Sequence, residues 1–194
     1  MITFKNTIYI MPRKLIGFLK KPILDLIPVF LGVVLALYFE NLNENRIEEN
    51  KIEGLLKKIA QGTEKNIKNL EFQLNQNHKV IDSLRSYSED SKSRIGDIVG
   101  NAGGLRYIQF DLAAWNVLKN SELLVDVDYE IVSLLYLLNE SIIYDSGPII
   151  FSDIATEKEV KEEVVSSLDD YLISIKYRLS LCHQIKELLA TKNL

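Results

Sequence analysis

Cysteine, histidine and proline are all scarce in this chain of 194 residues, and each scarcity excludes something. A single cysteine, Cys182, forbids an intrachain disulfide, so packing alone must hold the fold and the redox compartment stays open. His78 and His183 are the only histidines, and neither has a second ligand at metal spacing, so the sequence carries no zinc-type motif. With four prolines, nine glycines and 47% hydrophobic residues, the composition excludes a disordered or low-complexity chain and favours a mainly helical one. No proline stands between Pro28 and Pro148, which leaves room for a very long helix.

What is present is one long apolar run. Ile23 to Phe39, ILDLIPVFLGVVLALYF, lies between a basic leader and an acidic stretch. Crossing the hydrocarbon core takes roughly 17 to 25 mostly apolar residues, and Ile23 to Leu42 meets that length. Tyr38 and Phe39 sit where aromatic rings prefer the interface, and Lys20 and Lys21 can snorkel at the other end. Asp25 lies within a turn of Lys21, at headgroup depth; its alternative role is a polar contact with a partner helix. Val34-Leu35-Ala36 also has the small-residue spacing of a signal-peptide cleavage site, but cleavage there would leave Leu37-Tyr38-Phe39 as an apolar end. The leader mixes basic and large apolar residues, as a short interfacial amphipathic piece does.

Lys5, Arg13, Lys14, Lys20 and Lys21 precede the run without an acidic residue among them, whereas Arg46 and Lys51 follow it amid five glutamates. The positive-inside rule therefore puts the amino terminus in the cytoplasm and the rest of the chain outside an inner membrane. The expected organisation is a basic leader over 1–22, a transmembrane helix over 23–42 and an extracytoplasmic helical domain over 43–194. About 150 residues suffice for one domain with a real core. The first 40 residues hold five basic and two acidic side chains, which leaves −7 of the net −4 on the remainder. So acidic a domain is a poor partner for nucleic acid.

Beyond the run, the spacing predicts an all-α bundle. From Asn43 to about Ser88, Ile52, Leu56, Ile59, Thr63, Ile67, Leu70, Leu74, Ile81 and Leu84 recur at helical intervals, with Glu, Lys, Asn and Gln expected on the exposed face. The span can run straight into this helix. Ser88 to Gly104, with Gly96, Gly100, Gly103 and Gly104, reads as a connector, and it lacks the Lys-Ser or Lys-Thr pair of a phosphate loop. Two shorter helices follow, Phe110–Asn120 facing the core with Leu112, Trp115 and Leu118, and Asp128–Tyr144 with Asp128 as its N-cap. Asp145-Ser146-Gly147-Pro148 is a turn, and Thr156 to Glu159 has capping-box spacing that predicts a second long helix starting at Thr156. Its stripe is Val160, Val164, Leu168, Tyr171, Ile175, Leu179, Cys182 and Leu189. The economical packing sets it antiparallel to the first long helix, with the two shorter helices closing the bundle at the end far from the span.

Cys182-His183 and the clustered carboxylates are the positions where catalytic chemistry could reside. Neighbours on a helix point about 100° apart, and Cys182 falls on the apolar stripe, where a free cysteine acts as a small core residue. Glu157, Glu159, Glu162 and Glu163 suit a helix first turn, and Asp169-Asp170 and Asp126/Asp128 have no partner pattern. No catalytic, metal or cofactor residues are assigned.

Two stretches resemble a family of small bacterial single-pass membrane proteins known only as a domain of unknown function. Gly32, Ala36 and Leu37 match its Gly-x-x-x-Ala-Leu pattern, and Asn41, Asn43, Glu44 and Arg46 follow its Asn-x-Asn-Glu-x-Arg juxtamembrane motif, with Leu42 where the family has tryptophan. Ala114 to Ser121 is similar to the family's aromatic-x-x-Leu-Lys-x-Ser segment. The resemblance implies the anchor-plus-helices layout and no activity. Gly32 and Ala36 also form a small-x-x-x-small face for close approach of two spans. The expectation is a non-enzymatic accessory or interaction subunit whose partners are the bilayer and other membrane or periplasmic proteins, itself included. The alternative is an extracytoplasmic ligand sensor acting through a partner membrane protein.

Overall fold

The computed structural model describes residues 13–87, 94–145, 147–156 and 161–192. Within them the chain is all-α: α1 is Arg13–Ser86, α2 Ile95–Asn101, α3 Ala113–Lys119, α4 Tyr129–Ile143, α5 Gly147–Thr156 and α6 Lys161–Thr191, with a 3-10 helix at Glu122–Asp126. Two compact units divide it, Met1–Glu49 and Asn50–Leu194.

In the first unit α1 is already helical from Arg13, so no helix boundary marks the end of the expected leader at residue 22. Pro22 and Pro28 each remove one backbone donor without breaking the helix, as apolar helices tolerate. Every large apolar side chain from Leu26 to Phe39 is exposed, between 44% and 66%. α1 is the one helix among the described residues long and apolar enough to cross a membrane, and none of its apolar window is buried in the chain.

The second unit is a bundle around the later part of α1. Leu56, Ile59, Thr63, Ile67, Leu70, Ile81 and Leu84 are buried, as their spacing predicts, with Ile52 and Leu74 partly so. α6 runs antiparallel to it: Arg85 pairs with Asp169 at one end and Glu64 with Lys186 at the other. The expected stripe of α6 lies in the core from Val164 to Leu189, with Val160 outside the described residues. α4 lies antiparallel along α6, since Arg178 reaches the Ser141 carbonyl and Lys192 pairs with Asp128. Asp128 caps α4 as expected, its carboxylate accepting from the Glu130 N–H at 2.8 Å.

Three expectations need correction. The connector contains a helix, α2, because Ile95, Ile98 and Val99 share a face and bury despite Gly96 and Gly100; Gly103 and Gly104 then turn the chain at φ of 92° and 74°, where a Cβ would be strained. Thr156 does not start the last helix but ends α5, whose Ile150 and Ile154 bury and carry the helix through it; Pro148 sits in the first turn of α5, where its missing N–H costs nothing. Glu157 and Glu159 lie outside the described residues. Finally, the shorter helices do not close the far end. α3 and α4 pack where α1 enters the bundle, with Trp115, Leu135 and Leu138 beside Ile59 and Asn66, while α2 and α5 pack together and α5 packs on α6.

Candidate functional site

The sequence singles out seven residues on α1, and the helix sorts them. Gly32 and Ala36 are exposed and share a face with Asn43, which follows Ala36 by two helical turns. A Cβ on Gly32 would meet nothing within 4 Å, so the face is open to another helix. Asn41, Glu44 and Arg46 are exposed as well, and no hydrogen bond or ion pair ties them to another described side chain. Asp25 lies on the helix, its side chain outside the described residues.

The bundle holds a polar arrangement that the sequence reading missed. Asn66, Gln73 and Asn77 were expected on the solvated face of α1, yet all three are at most 1% exposed. Each of the two asparagines holds one residue of the chain between α2 and α3 by both backbone groups. Asn77 accepts from the Arg106 N–H at 3.0 Å and donates to its carbonyl; Asn66 does the same for Asp111. Eleven helical residues at about 1.5 Å and five extended residues at about 3.3 Å both span ~16.5 Å, so the two clamps fit only a nearly extended segment. Residues 66, 73 and 77 also fall within about 40° on the helix, one strip beside the apolar stripe. Gly62 lies against this segment, and a Cβ there would stand 3.1 Å from the Asp111 carbonyl oxygen. That spacing is the signal that was available.

Between the clamps, Gln73 donates to the Arg106 carbonyl and to the Tyr171 hydroxyl, both at 2.8 Å, and its own Oε1 has no partner. Arg178, only 3% exposed in its side chain, pairs with buried Asp145 at 3.1 Å and donates from Nε and Nη2 to the Ser141 carbonyl. Asp145 in turn accepts from the Gly147 N–H, so one arginine on α6 secures the turn between α4 and α5. Arg178 interrupts the stripe of Ile175 and Cys182, and a charge in that position points to a buried ion pair.

Burial pushes the Tyr171 hydroxyl well above its ordinary range, with the charge on Asp145 adding to it. Burial alone pushes the Cys182 thiol up to about 12, so it stays protonated beside exposed His183 and behaves as a core residue. Trp115 is buried edge-on against Tyr136, with ring centroids 4.9 Å apart. Among the described residues no three His, Cys, Asp or Glu side chains gather as metal ligands. Asn66, Asn77 and Arg178 are thus engaged in joining segments, and the exposed apolar surface lies on α1 and on aromatics of the bundle, Tyr129 and Tyr144 foremost.

The chain matches no protein-family model, no curated protein and no solved structure.

Proposed function

We propose that the chain is a non-enzymatic, single-pass membrane protein of the bacterial inner membrane, with its amino terminus cytoplasmic and its helical bundle periplasmic, serving as an interaction or accessory subunit. One observation carries the reading: α1 leaves every large apolar side chain from Leu26 to Phe39 exposed, a surface far beyond what water-soluble chains leave uncovered. The five basic residues before the span support the orientation. The resemblance to small single-pass membrane proteins supports the layout, and the open Gly32–Ala36 face gives the span a surface for a neighbouring helix.

The test is mild-detergent purification of the carboxyl-terminally tagged chain from its native cells, together with protease treatment of spheroplasts. The expected result is a stoichiometric companion protein or a homo-oligomer, and a tag digested from outside the inner membrane. A monomer recovered alone would defeat the interaction reading. A tag protected in intact spheroplasts and digested only after lysis would defeat the orientation.

A further inference from the structure

Between Lys119 and Lys158 the chain has no lysine or arginine and eight aspartates or glutamates. This basic-free stretch includes all of α4, and where α4 lies along the end of α6 the two helices leave an open groove of about 530 Å³. Leu134 and Leu188, both partly buried, give it an apolar floor; Tyr129 and the exposed Glu130 and Glu187 stand on its rim, and no basic side chain lines it among the described residues. Tyr129 is 81% exposed, a large ring left largely uncovered by the described residues. Neither rim glutamate has an ion-pair partner among the described residues, whereas the cations nearby in sequence are engaged, Lys186 with Glu64 and Lys192 with Asp128.

We propose that this groove docks a basic amphipathic helical segment of a partner protein. The charge selects the occupant. A second copy related by two-fold symmetry would set the same acidic rim against itself, and an anionic lipid surface would be repelled. A helix carrying two apolar side chains at i and i+4 with flanking lysines or arginines fills the floor and neutralises both glutamates. The Tyr129 ring offers its face to one of those cations. The groove runs along Tyr129 to Leu134, about one and a half helical turns, which is long enough for anchors one turn apart. This inference rests on the interaction reading and names the chemistry of the partner.

The test uses the full chain in phosphatidylcholine nanodiscs and a fluorescein-labelled helical peptide of lysine and alanine with two leucines at i and i+4. Anisotropy is read against empty discs and against the same peptide with glutamate for lysine. The lysine peptide should bind the loaded discs alone. The exposed double substitution Glu130→Lys with Glu187→Lys should weaken it by roughly tenfold or more, and Tyr129→Ala by roughly threefold or more. Glu71→Lys with Asp82→Lys, equal in charge and away from the groove, should leave it unchanged. No binding above empty discs, equal weakening by the remote pair, or indifference to Tyr129→Ala would each overturn the proposal. So would a change of oligomeric state in the groove variant, which would make a second copy the occupant. A companion protein that co-purifies equally well with the groove variant would overturn the groove and leave the interaction reading standing. A monomer recovered alone defeats that reading, and the peptide titration still decides the groove.

Discussion

Arg178 ties α6 to the turn after α4 through one buried side chain. Its guanidinium meets a carboxylate and a backbone carbonyl out of water, so Arg178→Ala strands the Asp145 charge in the interior. Removing one partner of a buried pair costs about 3 to 5 kcal/mol, and the urea midpoint of the chain should fall accordingly. Replacing Arg178 by Met and Asp145 by Asn together should recover part of the loss, because no charge is then left unpaired. Cys182 makes a pH-dependent prediction at the same scale. Its thiol ionises near 9 in an unfolded chain and is pushed up to about 12 in the fold. The folded state therefore holds the proton longer, and the associated stability is complete below pH 9 and is lost as pH rises towards 12. Thermal midpoints of Cys182→Ala should decline less steeply than those of the parent across that window. Tyr171, raised for the same reason, leaves a residual slope in the variant.

At the scale of elements, the segment between α2 and α3 has no regular hydrogen bonding of its own and borrows it from side chains of α1. Asn77→Ala should free the Arg106 N–H, at about 1 to 3 kcal/mol, while Gln73 still donates to the Arg106 carbonyl, and hydrogen exchange at the Arg106 amide should speed up. Asn66→Ala should do the same for Asp111 and leave Arg106 slower. If both variants released the two amides together, the segment would be a single unit and not two separate clamps. The apolar stripes of α1 and α6 were legible in the sequence because each repeats over many residues at one helical period. α2 and α5 were not, since α2 has only three buried apolar residues among glycines, and the Pro148 that ends one helix also opens the next.

For the whole molecule, the predictions concern association. If the Gly32–Ala36 face holds spans together, Gly32→Leu should raise the dissociation constant of any homo-oligomer in detergent by roughly tenfold, measured by sedimentation equilibrium across detergent dilutions. An unchanged constant would remove that face from the contact. The seven residues singled out on α1 lie in the first unit, while the buried clamps and the α4–α6 groove belong to the second. The first set is chosen from composition and spacing along one helix, which a sequence displays directly.

The sequence by itself determined the helical class, the long apolar run of α1, the stripes that form the core and the N-cap of α4. Each depends on residues close together along the chain, where helical periodicity and local capping suffice. Only the tertiary structure decided that Asn66, Gln73 and Asn77 face inward, that Arg178 finds Asp145 and that α3 and α4 sit at the entering end of the bundle. Those outcomes depend on partners 29 to 98 residues away, and a polar residue flanking an apolar stripe looks the same whether water or a distant backbone completes its hydrogen bonds.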